Sequence, residues 1–121
     1  MLDNSKLMKS FKYAFEGVGF AIKGNQNFKI HFFLALVAII LGFILKISLL
    51  EWSMLTVVIA LVLALEMLNA VTEEIIDLIV SDYRKEAKFV KDVGAGMVLV
   101  AAIGSVIVAL FIFLPHILAL R

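Results

Sequence analysis

The chain of 121 residues contains no cysteine and only one proline. The absence of cysteine excludes a disulfide framework and thiol chemistry. A Walker phosphate-binding loop is also absent, because Gly17-Val18-Gly19 and Gly94-Ala95-Gly96 are lone Gly-x-Gly triplets, and the second is better explained by close helix packing. The two histidines, His31 and His116, are too far apart in sequence to predict a metal site.

Charged residues are scarce, at 17% of the chain, whereas hydrophobic residues make up 64% and the mean hydropathy is +1.10. A soluble globular domain does not carry that much apolar sequence. Long apolar runs without strand-like alternation predict an all-α membrane protein. No internal repeat, low-complexity stretch or soluble domain interrupts residues 1–121, so we expect a single domain. Residues 1–27 carry charges throughout and do not resemble a signal peptide.

The first segment, residues 3–24, predicts an amphipathic helix lying on the membrane surface. Apolar residues recur at helical spacing through Leu7, Phe11, Val18 and Ile22, and lysines occupy the other side. Asp3 or Ser5 is expected to cap this helix, and Gly24 to end it.

Three membrane spans are predicted after it, at residues 28–50, 54–80 and 93–114. A short turn over residues 46–52 is expected to join the first two, and a charged, partly helical connection over residues 81–92 the last two. Pro115 and His116 are expected to mark the end of the third span. His31, at the start of the first span, is interpreted as an interface residue and not as a ligand.

The basic residues are distributed unevenly along the chain. Two groups, before the first span's apolar run and after the second span, hold all of them except Lys46 and Arg121: Lys6, Lys9, Lys12, Lys23 and Lys29, then Arg84, Lys85, Lys88 and Lys91. Basic residues concentrate on the cytoplasmic side of membrane proteins. The N-terminus and the 81–92 connection are therefore expected in the cytoplasm, and the C-terminus outside.

A polar stripe interrupts the second span at Glu66, Asn69, Glu73 and Asp77. These intervals place all four side chains on one helix face. An ionisable group at the bilayer centre costs roughly 2.5 to 3.5 kcal/mol on insertion scales, so such groups usually have a function. Three explanations fit the spacing equally: a phosphoryl-transfer site that uses Mg²⁺, a polar seam between helices, and a proton or ion pathway.

The segment from Glu66 to Asp77 resembles a signature of small bacterial membrane kinases, Glu-x-x-Asn-x-x-x-Glu-x-x-x-Asp, at all four fixed positions. This family comprises prokaryotic diacylglycerol kinase and undecaprenol kinase. The resemblance continues through Ser81-Asp82-Tyr83 and Lys91-Asp92-Val93-Gly94, and it covers essentially the whole chain.

The resemblance implies a homotrimer in the bacterial cytoplasmic membrane, with active sites shared between subunits and no nucleic-acid partner. It implies transfer of the γ-phosphate of Mg²⁺-ATP to a lipid hydroxyl. Glu66 matches the general base that binds the lipid hydroxyl, Glu73 matches a magnesium ligand, and Asn69 and Asp77 match the active-site network. The expected nucleotide-binding positions are Lys6, Tyr13, Asn25, Glu73, Asp82, Tyr83, Arg84, Lys91 and Asp92.

Asn25 departs from the family pattern, because members usually have a glutamate there as a second magnesium ligand. Asparagine offers a carbonyl oxygen without charge, whereas Mg²⁺ prefers charged oxygen ligands. We therefore expect weaker metal binding at Asn25, and a weakened or silent member acting as a membrane sensor or interaction protein is the alternative to an active kinase.

The lipid acceptor is inferred from Lys29-Ile30-His31, which resembles the Gram-positive branch of the family. Members of that branch often phosphorylate undecaprenol, and the diacylglycerol branch usually has an acidic residue at the position of His31. The resemblance therefore favours undecaprenol, with diacylglycerol as the alternative acceptor.

Overall fold

A computed structural model describes residues 2–120 as four α-helices, and that range contains no β-strand. The helices are α1 (Asn4–Gly24), α2 (Gln26–Leu45), α3 (Leu49–Ile79) and α4 (Lys85–Leu118). The last three are long and apolar enough to cross a membrane. The predicted fold class, an all-α membrane protein with one N-terminal helix and three spans, is confirmed.

Helix α1 lies outside the bundle, with none of its residues buried. It begins after Asp3, whose Oδ1 accepts hydrogen bonds from the backbone N–H groups of Ser5 at 3.0 Å and Lys6 at 3.3 Å. Asp3, and not Ser5, is therefore the N-cap. The predicted end at Gly24 is confirmed, because Asn25 is extended, with φ −130° and ψ 111°.

The C-terminus of α2 comes earlier than the end predicted for the first span, residues 28–50. The helix ends at Leu45 because Lys46 adopts the left-handed conformation, with φ 53°. The Ile47 N–H then donates to the Gly42 carbonyl at 3.2 Å, which satisfies a carbonyl at the helix end.

The N-terminus of α3 is fixed by a capping box. Ser48 Oγ accepts from the Glu51 N–H at 3.1 Å, and Glu51 Oε1 accepts from the Ser48 N–H at 2.9 Å. Because of this cap, α3 begins at Leu49. The predicted turn over residues 46–52 is thus too long, and the predicted second span, 54–80, starts too late.

Helix α4 begins much earlier than the predicted third span, residues 93–114. Only residues 80–84 connect α3 to α4, so most of the connection expected over residues 81–92 is helical. That stretch contains neither glycine nor proline to end a helix, and Lys88 pairs with Asp92 one turn along. The density of charged residues therefore does not mark the helix boundary here.

Helix α4 also continues past Pro115 to Leu118, so Pro115 and His116 do not mark its end. A proline removes one N–H donor, but its carbonyl still accepts, here from Ala119 N–H at 3.1 Å. The last turn of the helix is therefore retained.

The bundle is packed most tightly at the end formed by the α2–α3 connection and the C-terminus of α4. The buried cluster there consists of Ile47, Leu55, Ile112 and Phe113. The indole of Trp52 covers Gly42, where a Cβ atom would lie 2.7 Å from the ring. Many large apolar side chains elsewhere on the spans are exposed, as expected for surfaces covered by lipid or by other subunits.

A polar contact joins α3 and α4 beside this cluster. His116 Nε2 lies 3.0 Å from Oε1 and 3.2 Å from Oε2 of Glu51. The same carboxylate caps α3, so a single side chain connects the first turn of α3 to the last turn of α4.

We expect His116→Ala to lower the midpoint temperature of unfolding, because the hydrogen bond that joins α3 to α4 is lost. Thermal unfolding in detergent micelles, followed by circular dichroism, measures this change. Ser53→Ala, which removes a hydroxyl bonded only within α3, is the control. Equal stabilities of the two variants would show that the contact between helices contributes nothing.

Candidate active site

The deep end of the polar stripe is enclosed by the bundle. Glu66 and Asn69 are 2% and 6% exposed, and they are the buried polar residues of the spans. Glu66 Oε2 and Asn69 Oδ1 are both buried without a hydrogen-bond partner. An unpaired buried oxygen costs about 1 to 3 kcal/mol, and buried polar groups are nearly always paired. These two unpaired oxygens lie one turn apart on the same face of α3.

Helix α4 approaches α3 closely beside the side chain of Asn69. A Cβ atom on Gly94 would collide with Asn69 Oδ1, whereas a Cβ atom on Gly96 would meet nothing within 4 Å. Of the Gly94-Ala95-Gly96 triplet, only Gly94 fulfils the predicted role in helix packing.

The shallow end of the stripe lines a cavity of about 500 Å³ between α1 and α3. Three carboxylates, from Glu73, Glu74 and Asp77, face this cavity, and no basic residue lines it. Two amide side chains complete its polar wall, those of Asn25 and Gln26. The set of oxygen donors suits a hard cation.

Asn25 has a structural role beside this cavity. Its Oδ1 accepts from the N–H groups of Asn27 at 3.0 Å and Phe28 at 3.3 Å, so Asn25 is the N-cap of α2. The oxygen that would bind a metal is already engaged. Asn25 and Glu73 line the same cavity, but the cap weakens Asn25 further as a ligand.

A second cavity, of about 400 Å³, lies on the other side of Asp77, between the end of α3 and the start of α4. Three ion pairs line it: Asp77 with Lys91 at 2.7 Å, Asp82 with Arg84 at 3.5 Å, and Asp92 with Lys88. All six side chains are solvent-accessible. An incoming polyphosphate can therefore take over the basic partners, because its charge replaces that of the carboxylates.

The predicted nucleotide-binding residues fall into two groups. The cavities bring together Asn25, Glu73, Asp82, Tyr83, Arg84, Lys91 and Asp92. Lys6 and Tyr13, on α1, are exposed and line neither cavity.

The structure corrects the interpretation of His31. Its Nε2 lies 3.4 Å from Glu66 Oε1, and the side chain is 22% exposed. His31 therefore faces the polar stripe and is not simply an interface residue. A sequence signal existed: His31 and Glu66 lie at similar distances along the chain from residues 46–48, so two antiparallel helices bring them to one depth.

Comparison with known proteins identifies the family. Residues 12–113 match the model of the prokaryotic diacylglycerol kinase family. The chain belongs to this family. It is a membrane lipid kinase by that membership, and its Glu66, Asn69, Glu73 and Asp77 lie within the matched region.

Three curated relatives carry two different names. A diacylglycerol kinase of Synechocystis is 39% identical over 115 residues, which cover 94% of this chain and 66% of that protein. An undecaprenol kinase of Bacillus subtilis is 36% identical over 111 residues, covering 92% of this chain and 90% of the other. A diacylglycerol kinase of Haemophilus influenzae is 33% identical over 95 residues, covering 78% and 80%. The chain thus spans just under two thirds of the Synechocystis protein, and identity does not separate the two acceptors.

We expect Gly94→Ala to reduce lipid phosphorylation by at least about tenfold, because the new methyl group forces the Asn69 amide out of its present position. The helical content should not change, since the displaced atom is the end of a flexible side chain.

Phosphate transfer from labelled ATP to lipid in mixed micelles measures this effect. Gly96→Ala is the matched control, because a methyl group there enters open space. Similar activities of the two variants would contradict the assigned role of Asn69.

Proposed function

We propose that this protein transfers the γ-phosphate of Mg²⁺-ATP to the hydroxyl of a membrane lipid, with undecaprenol as the preferred acceptor. The observation that carries the proposal is the stripe on α3. It begins at a buried carboxylate with an unpaired oxygen and ends between two water-accessible cavities, one whose charged residues are all carboxylates and the other lined by ion pairs. Such a stripe connects a lipid-phase hydroxyl to an aqueous nucleotide.

In this mechanism Glu66 is the general base. Its free Oε2 takes the proton from the lipid hydroxyl as the hydroxyl oxygen attacks the γ-phosphorus. The new bond between oxygen and phosphorus forms as the bond to the β-phosphate oxygen breaks, and ADP leaves with that electron pair. The Asn69 amide, one turn away, orients the reacting oxygens by hydrogen bonding and adds no charge.

The family implies Mg²⁺, and the first cavity fits such an ion. Residues 2–120 contain no group of three or more His, Asp and Glu side chains arranged for a metal. Mg²⁺ is commonly held by one or two carboxylates together with substrate phosphates and water. Glu73 would therefore bind the ion, with Asn25 as a weak second ligand, and the ion would neutralise charge on the transferring phosphate.

The second cavity is proposed to bind the nucleotide, through Asp82, Tyr83, Arg84, Lys91 and Asp92. Its basic groups are paired with carboxylates, so a bound polyphosphate would replace these carboxylates as their partner, and the released carboxylates would face water.

Lys6 and Tyr13 fit a homotrimer in which active sites are shared between subunits. Both lie away from the cavities of their own chain, so a neighbouring subunit would supply them to its site. The exposed apolar faces of the spans offer surfaces for such an assembly.

Undecaprenol is favoured by Lys29-Ile30-His31, which resembles the Gram-positive branch of the family. An apolar groove of about 240 Å³ runs from His31 between α2, α3 and α4, which suits a long hydrocarbon acceptor. The distribution of basic residues supports a multi-pass protein of the bacterial cytoplasmic membrane, with the N-terminus and residues 81–92 in the cytoplasm.

The function is tested by offering undecaprenol and a diacylglycerol separately to the purified protein in lipid-containing micelles with labelled ATP and Mg²⁺. We expect label in both lipids and a higher kcat/KM for undecaprenol. Glu66→Gln should lose at least about 100-fold in kcat, as expected for removal of a general base.

A higher kcat/KM for diacylglycerol would reverse the choice of acceptor. Absence of label from both lipids would favour the silent sensor protein. Proton flux that depends on Glu66 and consumes no ATP would support the transport pathway instead.

The Asn25 site generates a separate prediction. Asn25→Asp keeps the N-cap of α2 and adds a charged oxygen to the first cavity. We expect the Mg²⁺ concentration for half-maximal activity to fall by about 3- to 10-fold, because the cavity gains a hard anionic ligand.

Asn25→Ser is the control, since serine also caps a helix but adds no charge. Titration of Mg²⁺ at fixed ATP measures the effect for each variant. If Asn25→Asp and Asn25→Ser require the same Mg²⁺ concentration, residue 25 does not contribute to the metal site.

A further inference from the structure

The two oxygens of the Glu66 carboxylate have different surroundings. Oε1 lies 3.4 Å from His31 Nε2, and Oε2 is buried without a partner. Among residues 2–120, His31 is the only basic side chain within 4.0 Å of this carboxylate. One oxygen is therefore occupied by a neighbour, and the other is left for a ligand.

The contact places one nitrogen, His31 Nε2, beside one carboxylate oxygen, Glu66 Oε1. At 3.4 Å the two atoms are in contact, but they are farther apart than in an ordinary N–H···O hydrogen bond. Contacts in active sites without substrate are often long and tighten when the substrate binds. His31 projects from α2 and Glu66 from α3, so the contact fixes the carboxylate relative to a second helix.

A histidine suits this contact better than a lysine or an arginine would. A permanently charged partner would stabilise the carboxylate form and make it a poorer proton acceptor. A neutral imidazole donates a single N–H, and it can donate to Oε1 both before and after Oε2 takes a proton. The carboxyl group thus remains oriented throughout the reaction.

We propose that His31 is a positioning residue that holds Glu66 Oε1 through its Nε2–H, so that Oε2 points at the lipid hydroxyl. This inference rests on the proposed function, because it assigns His31 a task only if Glu66 is the base. His31 itself exchanges no proton with the substrate. Its contribution is to prevent rotation of the buried carboxylate away from the hydroxyl.

The contact is tested first without any substrate, by nuclear magnetic resonance of the protein in micelles with labelled histidine. The chain has only two histidines, so His116→Ala assigns both imidazole signals. We expect Glu66→Leu to shift the His31 imidazole N–H signal and to leave the His116 signal unchanged. An unchanged His31 signal in Glu66→Leu would overturn the proposal.

The positioning role is then tested by kinetics with the preferred lipid. We expect His31→Leu to lower kcat by about 10- to 100-fold, with the KM for Mg²⁺-ATP changed less than about twofold, since only the base is misplaced. His31→Gln should restore most of kcat, because the glutamine amide carries an N–H at a similar distance from the backbone.

Phe33→Leu, an exposed change two residues along α2, controls for general effects on the helix. Full activity in His31→Leu, or equal losses in His31→Leu and His31→Gln, would refute positioning through an N–H. If the wild-type protein labels no lipid, the proposed function and the positioning role fail together, while the resonance experiment still decides whether the contact exists.

Discussion

Burial of a carboxylate and an amide inside an apolar bundle is the constraint on which the rest of this structure depends. Glu66 and Asn69 are almost fully enclosed, and each retains an oxygen without a hydrogen-bond partner. Each such oxygen costs about 1 to 3 kcal/mol. Packing elsewhere in the bundle must offset that cost. A ligand that pairs these oxygens would bind a preformed site.

The two ends of the bundle differ in packing and in polarity. The end near residues 46–48 holds the buried apolar cluster and the contact between Glu51 and His116, so it is closed and tightly packed. The opposite end contains both polar cavities and the short connection at residues 80–84. Local openings are favoured where buried apolar contacts are few. The end with the polar cavities can therefore adapt to a ligand, while the packed end keeps the helices in register.

Hydropathy predicts the number and order of the spans, because crossing the bilayer requires a run of about 20 apolar residues that the sequence shows directly. Helix ends were predicted less well, since they depend on caps formed by a few atoms. The left-handed Lys46 and the Ser48–Glu51 capping box set the boundary between α2 and α3, and the charged connection expected over residues 81–92 is helical from Lys85 onwards. These features are local hydrogen bonds and backbone conformations, and hydropathy averaged over a long stretch of sequence does not detect them.

The candidate site was predictable to a similar degree. Helical periodicity placed the four stripe residues on one face of α3, and the family signature supplied their expected roles. Contacts between helices were not visible in the same way. Gly94 could be recognised as a packing glycine but not as the neighbour of Asn69, and the cap formed by Asn25 required the backbone of α2. The contact between His31 and Glu66 becomes visible only when α2 is packed against α3.

The three carboxylates of the stripe differ in what compensates their charge, and this difference sorts their roles. Glu66 faces an imidazole, which can orient a base without holding it permanently in the charged form. Asp77 is paired with Lys91, so its charge is already balanced. Glu73 has no basic side chain within 4.0 Å among residues 2–120, and it faces a cavity without basic residues. An uncompensated carboxylate attracts a cation most strongly. The metal is therefore expected between the base and the nucleotide cavity, where charge on the transferring phosphate must be neutralised.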